Sequence, residues 1–588
     1  MTNGRIRMRR AVGLFATCVG MLAFASSAGA ATDRFVDRDT GVDDGDCSSS
    51  ATPCVSISYA LSQAGAGDTI KVDDSATAYL ESVGLQNGVS VTGTDFTGGD
   101  EGEAIVDGGG TIALQVGVGE SAGTISGLTL RSTNIAVRLL GTTTAVTGNI
   151  FDSGGTNQRD LIIQAGSPLV SQNQFPDGST TLFDTAIVVD LSSPTISNNT
   201  LVNQNVGIIV GPTAAAPATS IVGNTISGTH GSGSTSGVGI EIDRSVGFLL
   251  QGNLIHAADS PTQTTGIRVV AFGLSDSSSG TFRRNQVYGL DTGIAVSDTS
   301  SATMSGDVIG GSTDIGLFTN DDANPTGNGA VSAKNVTIAG SGSVDAQPAG
   351  TSLTLDSSII GDAGIVPLGA GSCTITRSRG PNTAAVSGCG NFVTNAAPDF
   401  VNTVADNYRL TGSASNLASL IDAGDPAAPS GLDTVDFEGQ KRAADGDGDC
   451  TETRDIGADE FLPAAPTASF SGGPADGSTI GTTSTSFGFT SSNTCPGASL
   501  QCSLDGAAFS ACSSPVGLSG LSEGGHTFSV RALDLVPQTG SANTRTFTVD
   551  LTDAAAPPSA PPATPASKRC KKHQKLKKGK CVKRKRKR

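Results

Sequence analysis

The chain has 588 residues, 54 of them acidic and 37 basic, with no Trp and only four His and four Tyr. So few histidines leave no His-rich metal cluster, and no stretch beyond the N-terminal leader is apolar enough to span a bilayer. The formal charge of −17 hides a division: residues 568–588 hold 14 Lys and Arg and no acid, and without them and the four leader arginines 19 bases face 54 acids, about −35.

Arg5, Arg7, Arg9 and Arg10 precede an apolar run over 11–25, and Ala28-Gly29-Ala30 follows. Residues 1–30 therefore read as a secretory signal peptide, which places the mature chain outside the cell or at its surface. Export agrees with cysteines that lie close in sequence: Cys47 with Cys54, Cys373 with Cys389, Cys502 with Cys512 and Cys570 with Cys581 are expected as local disulfides. Cys450 and Cys495 stand outside these pairs and either join across a domain junction or stay free.

Residues 31–75 carry Phe35-Val36-Asp37, the Cys47 to Cys54 loop, a helical stretch over 56–64 with Ile57, Ala60 and Leu61 on one face, and the strand Thr69-Ile70-Lys71-Val72. A helix ahead of the first coil covers an otherwise open sheet edge and core, so this region is expected to be a cap.

Over 76–396 one short pattern recurs. Asn149, Asn173, Asn199, Asn224, Asn253 and Asn285 each precede an aliphatic or aromatic strand, and Asp307 and Asn335 continue the series more loosely. Gly207-Ile208-Ile209-Val210, Gly239-Ile240-Glu241-Ile242, Gly266-Ile267-Arg268-Val269 and Gly293-Ile294-Ala295-Val296 alternate, two aliphatics inward and the middle residue outward. A period in the twenties with such strands means a solenoid. The recurring Asn tolerates the left-handed backbone of a tight corner and can bond to its equivalent one coil away. An all-β, right-handed parallel β-helix is therefore expected, about twelve coils and near 60 Å long at roughly 4.8 Å per coil.

Residues 397–461 change character, with Pro398-Asp399-Phe400-Val401, Asn407-Tyr408-Arg409-Leu410 and Ile421-Asp422-Ala423-Gly424 before Asp455-Ile456-Gly457-Ala458-Asp459-Glu460. The opening, the Asn coils and this ending together resemble exported bacterial right-handed β-helix proteins of the pectin-lyase-like superfamily. The Asp-Ile-Gly-Ala-x-Glu ending looks like the choice-of-anchor Q domain, and the resemblance implies a C-terminal portion that closes the far end of the helix. Residues 462–551 follow a Pro/Ala joint with short alternating runs and resemble bacterial Ig-like domains, a small β-sandwich. Residues 552–567, rich in Ala and Pro, read as an extended linker. The basic tail 568–588 is expected to be disordered.

Chemistry is sparse. Glu241 and Arg268 occupy one outward column on neighbouring strands, with Asp243 two residues beyond Glu241. In pectate-lyase-like enzymes such a face holds acids for Ca²⁺ and an Arg base, so these three are the catalytic candidates, although Arg268 beside Glu241 is more simply a cross-strand ion pair. Gly520-Leu521-Ser522-Glu523-Gly524 matches the G-x-S-x-G of hydrolases, but that Ser needs a strand-to-helix elbow and here falls in a turn. Asp445, Asp447, Asp449 and Asp455 have the alternating oxygens of a structural Ca²⁺ loop and equally those of a solvated acidic turn. No other cofactor is implied. The absence of Trp leaves few flat platforms for sugar rings.

Lys568, Arg569, Lys571, Lys572, Lys575, Lys577, Lys578, Lys580, Lys583, Arg584, Lys585, Arg586, Lys587 and Arg588 are expected to engage anionic cell-envelope polymers. The whole reads as a monomeric surface protein with a structural, adhesive or glycan-binding role, with polysaccharide as a ligand and no specific nucleic-acid partner. The alternative is a polysaccharide lyase or glycoside hydrolase on the same scaffold.

Overall fold

The computed structural model describes residues 31–584 apart from 87, 98–102, 121–122, 154–158, 177–183, 213–217, 230–236, 258–263, 272–276, 321–328, 369–370, 382–388, 431–432, 535–537 and 553–568. The expected signal peptide, most of the expected linker, Lys568 and the last four cations therefore lie outside the described residues. The chain divides into two units, 1–463 and 464–588.

In the first unit three parallel sheets of 14, 11 and 12 strands wind as the expected right-handed parallel β-helix. Each complete coil contributes one strand to each sheet. The 14-stranded sheet runs from Asp33–Val36 to Ser372–Thr376, the 11-stranded one from Val83–Leu85 to Val344–Ala349, and the 12-stranded one from Tyr79–Leu80 to Ile359–Ile360. The steps along the longest sheet, roughly 4.8 Å each, span about 60 Å.

Register explains the core. Ile196, Ile221, Leu250, Phe282, Met304, Ala333 and Leu355 stack in one inward column, and Ile187, Ile208, Ile240, Ile267, Ile294 and Leu317 form another. All are buried, in a continuous apolar cluster. The glycine of Gly-Ile-x-Val is required by packing: a Cβ on Gly239 would lie 2.6 Å from the Gly266 carbonyl oxygen, and one on Gly266 would lie 2.5 Å from that of Gly293.

The Asn corner works differently from the sequence expectation. The left-handed residue is the one before each Asn, as at Gln172 (φ 58°), Asn198 (54°) and Arg284 (54°). The Asn itself points inward and is buried. Its Nδ2 donates to Oδ1 of the next Asn, at 3.0 Å from Asn149 to Asn173 and 2.8 Å from Asn285 to Asp307. Asp307 can end this ladder because the last member need only accept. Asn335 is not its continuation, for the register places Val308 opposite Thr337; Asn335 falls in the left-handed slot (φ 51°) and Val336 takes the ladder position.

The helix Ile57–Gln63, capped by Ser56 Oγ accepting from the Tyr59 amide, buries Ile57 and Ala60 against Val36 and Ile70 and covers the first coil. In the last turn Arg379, buried, donates from Nη1 to the Ile360 carbonyl and from Nε to the Ala396 carbonyl, and Phe392 joins the apolar core. Residues 397–461, expected to close the far end, pack on outward side chains of the later coils. That segment lies along the flank, where Tyr408 stacks on Tyr288 (ring centroids 5.7 Å apart) and the Gly457 amide donates to the Ser357 carbonyl. It covers outward side chains of the later coils, which the sequence pattern does not distinguish from solvent-facing ones.

Among its described residues the second unit has a five-stranded sheet built on Ser499–Leu504, Gly524–Leu533 and Asn543–Val549, and three two-stranded sheets, the last in the tail. Phe487, Phe489, Phe528 and Phe547 share its core. The described part of the tail is not disordered: Gln574–Lys577 and Lys580–Lys583 form an antiparallel hairpin. The four expected local disulfides are present. Among the described residues no helix is long and apolar enough to cross a membrane.

Candidate functional site

The outward face of the 11-stranded sheet carries Val188, Ile209, Glu241, Arg268, Ala295 and Phe318 in one column. Parallel pairing in register sets Glu241 beside Arg268. Arg268 Nε donates to Glu241 Oε2 at 3.1 Å, and Nη2 donates to the same oxygen. Glu241 is 7% exposed. Two nitrogens of Arg268 are thus committed to one carboxylate oxygen, and the side chain is held in an ion pair. Asp243 is engaged separately, with Arg244 Nη2 2.9 Å from its Oδ2. The three candidates therefore divide into two ion pairs.

The acidic loop differs from its expected liganding. Asp445 and Asp447 come together with Asp422, their carboxylate oxygens within 4.8 Å of one another. Asp455 faces the interior instead, accepting from the Asp422 and Phe461 amides at 2.8 and 2.6 Å. Asp449 turns back to accept from the Thr451 amide. Asp445, Asp447 and Asp422 are the residues able to hold a cation here, a set that sequence spacing misses because Asp422 lies over twenty residues away. Most of their oxygens also serve the loop's own backbone, as where Asp422 Oδ2 accepts from the Gly446 and Asp447 amides. Burial pushes the Asp422 carboxyl up to about 6. A second acid group, Asp73, Asp74 and Asp95, lies near the first coils.

The ending Asp455 to Glu460 ties backbone together. Glu460 Oε1 accepts from the Ala443 and Ala444 amides, Asp459 Oδ2 accepts from the Leu410 amide at 2.6 Å, and Asn335 Nδ2 donates to the Asp455 carbonyl. Burial raises both Asp459 and Glu460 to about 7. Gly457 has φ 113°, and a Cβ there would lie 2.7 Å from Ile359 Cδ1. These acids hold the flank segment in place. Beside them a cleft of about 300 Å³ is lined by Gln286, Asp406, Tyr408, Arg409 and Glu438. At its edge His256 Nε2 lies 2.7 Å from Asp406 Oδ2.

Ser522, His526 and Asp505 do meet, which the motif alone did not foretell. His526 Nδ1 lies 2.7 Å from Asp505 Oδ2, and Nε2 lies 2.9 Å from the Ser522 carbonyl oxygen and 3.5 Å from its Oγ. Two acceptors, the Ser522 carbonyl first and the Asp505 carboxylate second, raise the imidazole pKa. Nε2 is turned to the Ser522 carbonyl and not to its hydroxyl, so the arrangement staples a turn.

Sequence reading also missed a hydroxyl face on the 14-stranded sheet. Thr281, Thr303, Ser332, Thr354 and Thr374 align in one outward column, flanked by Ser279, Ser301, Ser352 and Ser372. All but Thr374 and Ser372 line a shallow concavity of about 430 Å³, whose wall also holds Val246, Ala302, Ala330 and Val331 and no charged residue. Hydroxyls both donate and accept, so this surface suits an uncharged, hydroxyl-rich ligand. No family model matches the chain, and no curated protein is similar to it in sequence.

Proposed function

We propose that this chain is an exported, surface-held β-helix with an adhesive or glycan-binding role, retained at the cell envelope by its cationic tail. In this reading the first unit is a pectin-lyase-like helix with a choice-of-anchor Q type ending, and the second begins with an Ig-like domain. The observation that carries it is the state of the outward faces: Arg268 is bound to Glu241, whereas hydroxyl side chains line an uncharged concavity on another sheet. The 14 cations of 568–588 supply attachment, since many weak contacts to a polyanion act together and are screened by salt.

The test is fractionation of cells expressing the full chain or a form ending at Ala566. High salt should release the intact protein, and the shortened form should appear in the medium at any salt. Equal retention of both refutes the anchor. Release of unsaturated oligosaccharides from polygalacturonate or alginate by the same fractions, abolished by Arg268→Ala, replaces this reading with an enzyme.

A further inference from the structure

The tail hairpin breaks an electrostatic rule. Its register sets Lys577 opposite Lys580 and Lys575 opposite Val582, while Gln574 faces Lys583 and Leu576 faces Cys581. Lys578 (φ 48°) and Gly579 (φ 74°) make the two-residue left-handed turn that suits a hairpin. Side chains alternate across the ribbon, so Lys575, Lys577, Lys580 and Val582 share one face. Like charges directly opposite destabilise a strand pair, and no acid occurs anywhere in 568–588 to offset them.

Little in the ribbon compensates. Its strand residues are exposed apart from the half-buried Gln574, and a lone two-stranded hairpin is marginal in water. The Cys570–Cys581 disulfide supplies the covalent tie, which suits an oxidising compartment. A local conflict without local compensation is characteristic of functional sites. An anionic group between the two facing ammonium groups turns repulsion into attraction.

We propose that this hairpin is a preformed clamp for an anionic phosphodiester polymer of the cell envelope. Lys577 and Lys580 hold one phosphate between them, and Lys575, roughly 7 Å along the strand, meets the next. A phosphodiester is assigned because the cations within the strands are all lysines, point charges that bind phosphate without the bidentate geometry of an arginine fork. The proposal rests on envelope retention and adds to it a geometry and a ligand class.

The experiment measures binding of the full mature protein to immobilised poly(glycerol phosphate) at physiological salt. Lys577→Gln with Lys580→Gln is compared with Lys571→Gln plus Lys572→Gln, which removes the same charge outside the strands. The hairpin pair should weaken binding about tenfold more than the control pair, and Cys570→Ser with Cys581→Ser should weaken it as much as the hairpin pair. Equal losses from the two lysine pairs, or full binding without the disulfide, overturn the clamp while leaving a diffuse cationic anchor standing. Polygalacturonate competing as well as poly(glycerol phosphate) overturns the phosphodiester assignment, and duplex DNA competing better overturns the envelope source. Cell retention that ignores the tail, with the clamp intact in vitro, refutes the anchor alone.

Discussion

Asn224 sits mid-ladder, and its removal has a cost that the structure allows to be worked out. Its Oδ1 accepts from the Asn199 amide at 3.0 Å and from Asn199 Nδ2 at 2.9 Å. Its Nδ2 donates to Asn253 Oδ1 and to the Ile196 carbonyl, both at 3.0 Å. In Asn224→Ala the buried Asn199 amide loses its acceptor, and three further groups, Asn199 Nδ2, Asn253 Oδ1 and the Ile196 carbonyl, lose one bond each. At about 1–3 kcal/mol for each buried group left unsatisfied, the loss comes to about 4 kcal/mol. Asn224→Asp sharpens the test. A carboxylate still accepts from Asn199 but opposes Asn253 Oδ1, whereas a protonated acid can donate to it. The precedent is Asp307, which burial raises to about 7. The aspartate variant should therefore approach wild-type stability near pH 5 and fall toward the alanine variant near pH 8. Urea unfolding followed by circular dichroism measures both, with hydrogen exchange at Asn199 and Thr225 as the local readout. A loss from Asn224→Ala no greater than that from exposed Thr374→Ala refutes the ladder as a source of stability.

Gly266→Ala should cost about 1–3 kcal/mol through overpacking against the Gly293 carbonyl and lower the yield of folded protein, measured by the same unfolding curves. Arg268→Ala should destabilise by about 1–3 kcal/mol because it leaves Glu241 buried without its partner, and adding Glu241→Ala should recover part of the loss in a double-mutant cycle. Burial raises Asp459 to about 7 from an unfolded value near 4. Its contribution is full below about 4 and declines as pH rises to about 7, so limited proteolysis of the 420–461 flank should quicken from pH 5 to pH 8. His526 is raised as well, so its stapling of the second unit is present at acid pH and lost as pH rises through its folded value; chemical shifts of the Thr527 amide against pH test this.

The sequence by itself determined the solenoid. Gly-Ile-x-Val strands and an Asn in the twenties of residues apart cannot bury their apolar side except by stacking on copies of themselves, so period and alternation specify both the strand faces and the parallel pairing. The local disulfides were legible for a similar reason, since their partners lie within 16 residues of each other. What only the tertiary structure decided involves neighbours that sequence does not order. The Asn and its left-handed partner differ by one position, and only the register shows that the side chain serves the ladder while the preceding residue makes the corner. Residues 397–461 lie on the flank because Tyr408, Asp455 and Gly457 meet side chains and carbonyls a hundred or more residues earlier. Asp422 joins Asp445 and Asp447 through a chain reversal. The tail hairpin sets Lys577 opposite Lys580 through a two-residue left-handed turn that the run of like charges does not announce. The hydroxyl face emerges only when Ser and Thr from successive coils, unremarkable singly, align at strand spacing.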